Sequence, residues 1–333
     1  MNGPGCGYTV CRDLFSFRPF AYRELNCYTN SGTMGKSEDA VAGMPYALPK
    51  SLRKKGSLYG RAAPYEGVCT MLELDFIQTF LNTNRDYVLE KYRDKTNLTV
   101  TNKQADPNNL LTEVDLTVQK RFVDAVQDAF PGDLIVGEES GLDRAPDDLN
   151  QRIWVIDPID GTYNFMRGLN PAFAISIAFV EEGFARAAGV LLPLQGTCFL
   201  AEAGQGATCD GRRLSVSKIQ HMEEACFEID FSNTETRRML LRRGTDILKK
   251  AGRVRSQGSA VVGICQVATG DVDAYLHMGL QPWDYAAAQL IAEEAGALAT
   301  RLDGKALRVF DNRKGVLITN GAIHRAALSL VAS

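Results

Sequence analysis

The sequence predicts a protein of the mixed α+β or α/β class, with helices layered on sheets in two halves. Three observations point there. Two long amphipathic helical patterns stand at Leu72–Lys95 and Leu110–Phe130, and short apolar runs of strand length follow them. Beyond about residue 215, strand and helix signals alternate.

In the first helical pattern, apolar residues recur at Leu72, Leu74, Phe76, Ile77, Phe80, Leu81, Val88, Leu89 and Tyr92. In the second they recur at Leu116, Val118, Phe122, Val123, Val126 and Phe130, and Pro131-Gly132-Asp133 stops it. The strand-like runs are 134–136, 153–156, 173–180, 185–192 and 197–201. Turns such as Glu182-Gly183 and Asp210-Gly211 separate them. The alternating part reads as strand 225–231, a helix from Thr234, strand 253–256 and a helix over 259–269. Strand 274–276, a helix opened by Asp284, strand 316–319 and a last helix complete it. The expected organisation is an N-terminal α+β half over 71–213 and a C-terminal α/β half over 214–333.

Residues 1–70 differ from the rest. They are rich in Gly, Ser, Pro, Tyr and Asn, show no sustained period, and hold nine Lys/Arg against five Asp/Glu. They read as a flexible extension, with an organellar targeting segment or an over-long start before Met71 as alternatives. Gly32-Thr33-Met34-Gly35-Lys36-Ser37 ends like a phosphate-binding loop, but Asn30 stands where that loop needs its first glycine and no strand feeds it.

The formal net charge is −3, which argues against nucleic acid or an anionic membrane as the main partner. The apolar stretch from Ala172 to Val180 is about half of what spans a bilayer and reads as a buried strand. None of the eight cysteines forms a Cys-x-x-Cys pair, and no secretory signal precedes them, so a reducing, cytoplasmic setting is expected.

Four acidic clusters stand near strand or helix ends. Glu138 and Glu139 follow an apolar run, Asp115 sits early in the second helix, Asp284 opens a later one, and Asp157 and Asp160 follow Ile153-Trp154-Val155-Ile156. Asp157-Pro158-Ile159-Asp160-Gly161-Thr162 reads as a tight turn carrying two carboxylates, with its backbone fixed by Pro and Gly. Oxygen ligands of this kind suit a hard divalent cation. A lone Asp-x-x-Asp is ordinarily a solvated turn, so the metal reading depends on the other clusters. Gly161-Thr162 and Gly258-Ser259 both read as helix N-termini, which bind anions through free N–H groups.

Taken together, Gly137-Glu138-Glu139-Ser140, the segment from Ile153 to Phe165, and Trp283-Asp284-Tyr285-Ala286-Ala287-Ala288 resemble the inositol monophosphatase family, from about Met71 to the C-terminus. The resemblance implies a layered αβαβα sandwich of the inositol monophosphatase/fructose-1,6-bisphosphatase type, two or three Mg²⁺ ions, lithium sensitivity and a homodimer. It implies that Glu138, Asp157 and the carbonyl of Ile159 hold one ion, and that Asp157, Asp160 and Asp284 hold a second. Glu138 and Thr162 would position and deprotonate the attacking water, with Asp115 orienting Thr162. Gly258, Ser259 and Ala260 fill the place of the loop that contacts phosphate and substrate, beside Asp160, Gly161, Thr162 and Asp284. The implied partner is a small phosphorylated metabolite.

The sequence departs from the inositol pattern at His277, where inositol-directed members carry a glutamate that accepts bonds from hydroxyls. A histidine there can donate or accept, which keeps it in the substrate pocket but alters what it reads. His221 and His324 lack such context and read as structural. The family places a lysine near Gln104, where this chain has Lys103, and the region Asp230-Phe231-Ser232-Asn233 takes the place of a substrate loop. Histidinol phosphate and fructose 1,6-bisphosphate remain alternative substrates. Nucleotide-directed members rank last, because the connection from Glu138 to Asp157 is compact. A non-catalytic, metal-binding homologue is the reading of another class, and it conflicts with the presence of all six of Asp115, Glu138, Asp157, Asp160, Thr162 and Asp284.

Overall fold

The computed structural model describes residues 72–94, 98–102, 110–139, 146–168, 171–231, 233–311 and 315–331. The expectations for residues 1–70, Lys103, Gln104, Ser140 and Ser232 lie outside them.

Helix α1 (Glu73–Arg93) begins with Glu73 and Asp75 and ends with Lys91 and Arg93, charges that complement its dipole. It buries Phe76, Ile77, Phe80, Leu81, Val88 and Leu89. The second helical pattern starts later than its apolar period suggests. β1 (Val100–Asn102) and β2 (Leu110–Thr112) pair antiparallel, and only then does α2 (Glu113–Ala129) begin. A capping box sets that boundary: the Thr112 hydroxyl accepts from the Val114 N–H, and the Asp115 carboxylate accepts from the Thr112 N–H at 2.9 Å.

There follow β3 (Leu134–Gly137), β4 (Ile153–Asp160), the short α3 (Thr162–Arg167), β5 (Ala174–Glu181), β6 (Phe184–Leu192), β7 (Thr197–Glu202), β8 (Gly206–Cys209) and β9 (Arg212–Arg213). Among the described residues β3 to β9 form one sheet in chain order, parallel at β3–β4 and antiparallel elsewhere. Two hairpins turn where the sequence indicates. Glu182-Gly183 and Asp210-Gly211 take positive φ at both positions, as the two-residue turns that match strand twist require.

The chain then builds β10 (Cys226–Ile229), α4 (Thr234–Arg243), α5 (Thr245–Lys250), β11 (Arg253–Arg255), α6 (Ala260–Thr269), β12 (Ala274–His277), α7 (Pro282–Glu294), β13 (Leu298–Arg301), β14 (Val316–Thr319) and α8 (His324–Val331). The second sheet has the order β11-β10-β12-β14-β13, parallel over its first three strands and antiparallel over the rest.

Side-chain alternation assigns the layers. Trp154 and Ile156 of β4 face the core made by α1 and α2, whereas Ile153 and Val155 face α6 and α7. Tyr275 of β12 likewise faces α6 and α7, while Ala274 and Leu276 face α4, α5 and α8. α7 is buried nearly all round, and Ala286, Ala287 and Ala288 let it lie close between the sheets. The result is the five-layer αβαβα sandwich. The outer core of the first sheet gathers Phe76, Phe122, Phe130, Trp154 and Phe179 in edge and tilted ring contacts, and the Trp154 indole N–H reaches Asp133 at 2.8 Å. The pattern reading misses β1, β8, β9 and β13, which are two to four residues long and carry few apolar side chains. It also takes Leu110–Thr112 as helix, where pairing with β1 overrides the apolar spacing.

Candidate active site at the strand ends

The segment expected as a tight turn is the last part of β4, distorted by a bulge. Asp157 pairs with Ser176 and Asp160 with Ala174, so three steps on β4 oppose two on β5. In a regular strand residues three apart point to opposite faces. The extra residue turns Asp157 and Asp160 to the same side. Pro158 has no N–H to lose, and the Ile159 N–H donates to Asp157 Oδ1 at 3.1 Å.

Gly161 follows with φ +84° and caps α3, which brings Thr162 back over the bulge. The Thr162 hydroxyl lies 3.0 Å from the Ile159 carbonyl oxygen and 3.4 Å from Asp115 Oδ1. Asp115 is fully buried, its other oxygen held by the Thr112 N–H and hydroxyl. The cap that starts α2 thus also aims Asp115 at Thr162.

Glu138 reaches the site from β3, the parallel neighbour of β4. Gln119 fixes its turn, with its amide bonded to the N–H (2.9 Å) and carbonyl (2.8 Å) of Glu139. A Cβ on Gly137 would come within 2.5 Å of the Gln119 Oε1, so a larger residue there would have to displace that amide from Glu139. Asp284, expected to open its helix, is the third residue of α7 and accepts from the Gln281 N–H at 2.8 Å. Asp160 is tied to α6: its Oδ2 accepts from the Val261 N–H at 3.1 Å and from the Ser259 hydroxyl, which also caps α6.

Carboxylate oxygens of Asp157, Asp160 and Asp284 lie within 4.8 Å of one another, and all three side chains are buried or nearly so. Burial pushes the Asp160 carboxyl up to about 7 against two hydrogen bonds that lower it, with the charges of Glu138 and Asp230 adding to the rise. Burial drives Asp284 well above the carboxylate range too, reinforced by Glu138 and Asp160. So many carboxyls cannot all ionise at neutral pH without added positive charge, and an all-oxygen donor set fits a hard divalent cation such as Mg²⁺.

His277 ends β12, buried, with Nδ1 accepting the Gly279 N–H at 3.0 Å. Burial lowers its pKa, so the ring is neutral and carries its proton on Nε2, which stands 3.9 Å from Asp230 Oδ2. Asp230 follows β10, the parallel neighbour of β12.

The structure therefore brings together Asp115, Glu138, Asp157, Ile159, Asp160, Gly161, Thr162, Gly258, Ser259, Ala260 and Asp284, and the His277–Asp230 pair stands at the ends of β12 and β10 in the second sheet, with the charge of Asp230 felt at Asp160 and Asp284. His221 is exposed. His324 is buried between the Thr300 and Thr319 hydroxyls, each at 3.0 Å. Sequence reasoning gave no role to Asn164, although it lies in the central motif. Its Nδ2 lies 2.8 Å from the carbonyl of Ala172, 2.7 Å from that of Gln257 and 3.3 Å from that of Gly258. A short amide inside a chemical motif was the available signal.

Residues 77–333 match the model of the inositol monophosphatase family. A chloroplastic phosphatase of Arabidopsis thaliana, IMPL1, is 34% identical over 270 residues, 78% of this chain and 70% of its own. A fructose-1,6-bisphosphatase/inositol-1-monophosphatase of Thermotoga maritima is 34% identical over 233 residues, 69% of this chain and 85% of its own. Among solved structures, an IMPase from Thermotoga maritima superposes with a TM-score of 0.68 at 32% identity, covering 78% of this chain and 97% of its own. An IMPase/NADP phosphatase solved with Mg²⁺ and phosphate superposes at 0.67 with 25% identity, over 76% and 92% of the two chains. Fold, site and matches define the class: the protein is a phosphoric monoester hydrolase. It belongs to the inositol monophosphatase family.

Proposed function

We propose that the protein hydrolyses a small phosphomonoester with the help of Mg²⁺, by direct attack of water on phosphorus. The convergence of Asp157, Asp160 and Asp284 oxygens within 4.8 Å carries this reading. Glu138, Asp157 and the Ile159 carbonyl would hold one ion and Asp157, Asp160 and Asp284 another, of two or three Mg²⁺ ions in all. When bound, the ions supply positive charge that eases deprotonation of water and stabilises the leaving oxygen.

The chain's own groups do the rest. Glu138 and the Thr162 hydroxyl orient the water and take its proton, Thr162 passing its own hydroxyl proton to Asp115 when it does so. The N-terminus of α6 at Gly258, Ser259 and Ala260, together with Gly161 and Thr162, presents N–H donors to the phosphate. Water's oxygen bonds to phosphorus as the ester P–O bond breaks, and the departing alkoxide takes up a proton from solvent. No side chain is phosphorylated. His277 offers an N–H where a carboxylate would offer only acceptors, so the alcohol half is read by a donor from His277 and an acceptor from Asp230.

Inositol monophosphate is the first substrate to try, followed by fructose 1,6-bisphosphate, histidinol phosphate and 3′-phosphoadenosine nucleotides. Phosphate release across this panel, with and without Mg²⁺ and with added Li⁺, tests the reading. Asp157→Asn should abolish release, and activity that survives it would sink the metal assignment. Release in no case would favour a non-catalytic metal-binding homologue. The reading extends to a homodimer in the cytoplasm, with a chloroplastic relative making an organelle the compartment to compare. Among the described residues no helix is long and apolar enough to cross a membrane.

A further inference from the structure

The segment Gln257-Gly258-Ser259 is gripped from both sheets. From the first sheet's side, Asn164 holds the carbonyls of Gln257 and Gly258. From the second, Glu228 on β10 holds Gln257: Oε1 accepts its backbone N–H at 2.5 Å, and Oε2 lies 3.4 Å from its side-chain Nε2. The Gln257 amide is locked in turn against Gln266 of α6. Glu228 is only 1% exposed, and its stem passes under α6 at Gly263, where a Cβ would approach it to 2.8 Å.

A buried carboxylate is costly, and packing alone would be served by an apolar residue of similar volume. What the acid adds is a charged acceptor aimed at one backbone N–H. That N–H starts the segment whose Ser259 hydroxyl caps α6 and bonds Asp160. Neither chemistry nor metal ligation needs Glu228, and it stands outside both sequence motifs.

We propose that Glu228 is a positioning residue: it sets the Gln257–Ser259 segment and, through it, the affinity of the site for the phosphate group. This rests on the reading of that segment as the phosphate- and substrate-contacting loop. The geometry gives the order of effects. Glu228→Leu removes both acceptors and leaves the Gln257 N–H unpaired. Glu228→Gln keeps the shape and one neutral acceptor.

The test uses the full chain with Mg²⁺ and the best phosphomonoester of the panel. Steady-state kinetics and inhibition by inorganic phosphate are measured beside thermal melting. Glu228→Leu should raise KM and the phosphate inhibition constant together by about tenfold, the loss expected of one charge-assisted hydrogen bond, with a much smaller change in kcat. Glu228→Gln should raise both about threefold, because a neutral acceptor is roughly half as strong. A role in folding alone would lower the melting temperature and leave both constants unchanged, and that result overturns the proposal. If Glu228→Leu fails to fold, Glu228→Gln decides: an unchanged phosphate inhibition constant overturns the proposal. Ser259→Ala separates the two layers of inference. If it raises the phosphate inhibition constant while Glu228 variants do not, the loop reading stands and the role of Glu228 falls. If neither moves it, both fall.

Discussion

We predict that Asp160→Asn stabilises the metal-free protein while abolishing catalysis. In the fold the Asp160 carboxyl is pushed up to about 7, whereas its ordinary value is 3.8. A carboxyl raised by folding costs nothing below its unfolded value and an increasing amount as pH rises toward the folded one. The span is about three tenfold steps in proton affinity, at about 1.4 kcal/mol each, so the full cost above pH 7 is on the order of 4 kcal/mol. At pH 5 only about one step has accrued, or about 1 kcal/mol. Asparagine removes this cost, and its remaining oxygen can still accept from the Val261 N–H and the Ser259 hydroxyl. Denaturant unfolding in EDTA should show the variant more stable than the parent, by more at pH 8 than at pH 5. With saturating Mg²⁺ the gap should shrink, because the ion that needs Asp160 stabilises only the parent, while the one on Glu138, Asp157 and the Ile159 carbonyl stabilises both. A variant no more stable than the parent at pH 8 in EDTA, or a gain equal at both pH values, would refute the reasoning.

Three further outcomes follow from the same geometry. Mg²⁺ affinity should fall as pH drops below about 7, since Asp160 must lose its proton to bind, and calorimetry in two buffers should detect the released protons. Gly161→Ala forces a side chain into φ +84° with its Cβ 2.8 Å from the Ala172 carbonyl oxygen, so it should cost about 1–3 kcal/mol of stability and more than tenfold in kcat/KM. Unchanged melting and kinetics would contradict that. His324, held down to about 4 by burial between two threonines, stays neutral in the fold while the unfolded chain protonates near 6.5. Stability should therefore be lost as pH falls from about 6.5 to 4, by up to about 3 kcal/mol, and His324→Gln should flatten that slope in urea titrations.

The sequence by itself determined the reaction class and pointed to the residues proposed to serve it, because chemistry of this kind is written in short contiguous motifs. Asp157 to Thr162 and Trp283-Asp284 are each local, and local patterns survive without knowledge of the fold. It also determined the long elements: α1 leaves an amphipathic period, β5 a continuous apolar run, and α7 an Ala-rich stretch after Trp283-Asp284. Three things were decided only by tertiary structure. The bulge that turns Asp157 and Asp160 to one side depends on pairing with β5, which lies outside the motif. The start of α2 at Glu113 depends on β1 pairing with Leu110–Thr112, and its cap then aims Asp115 at Thr162. The grip on Gln257 joins Asn164 and Glu228, which are 64 residues apart and sit on different layers, so no window of sequence contains both. Motifs name the groups that react; the distances between them come from side chains that meet only when both sheets are packed against the helices between them.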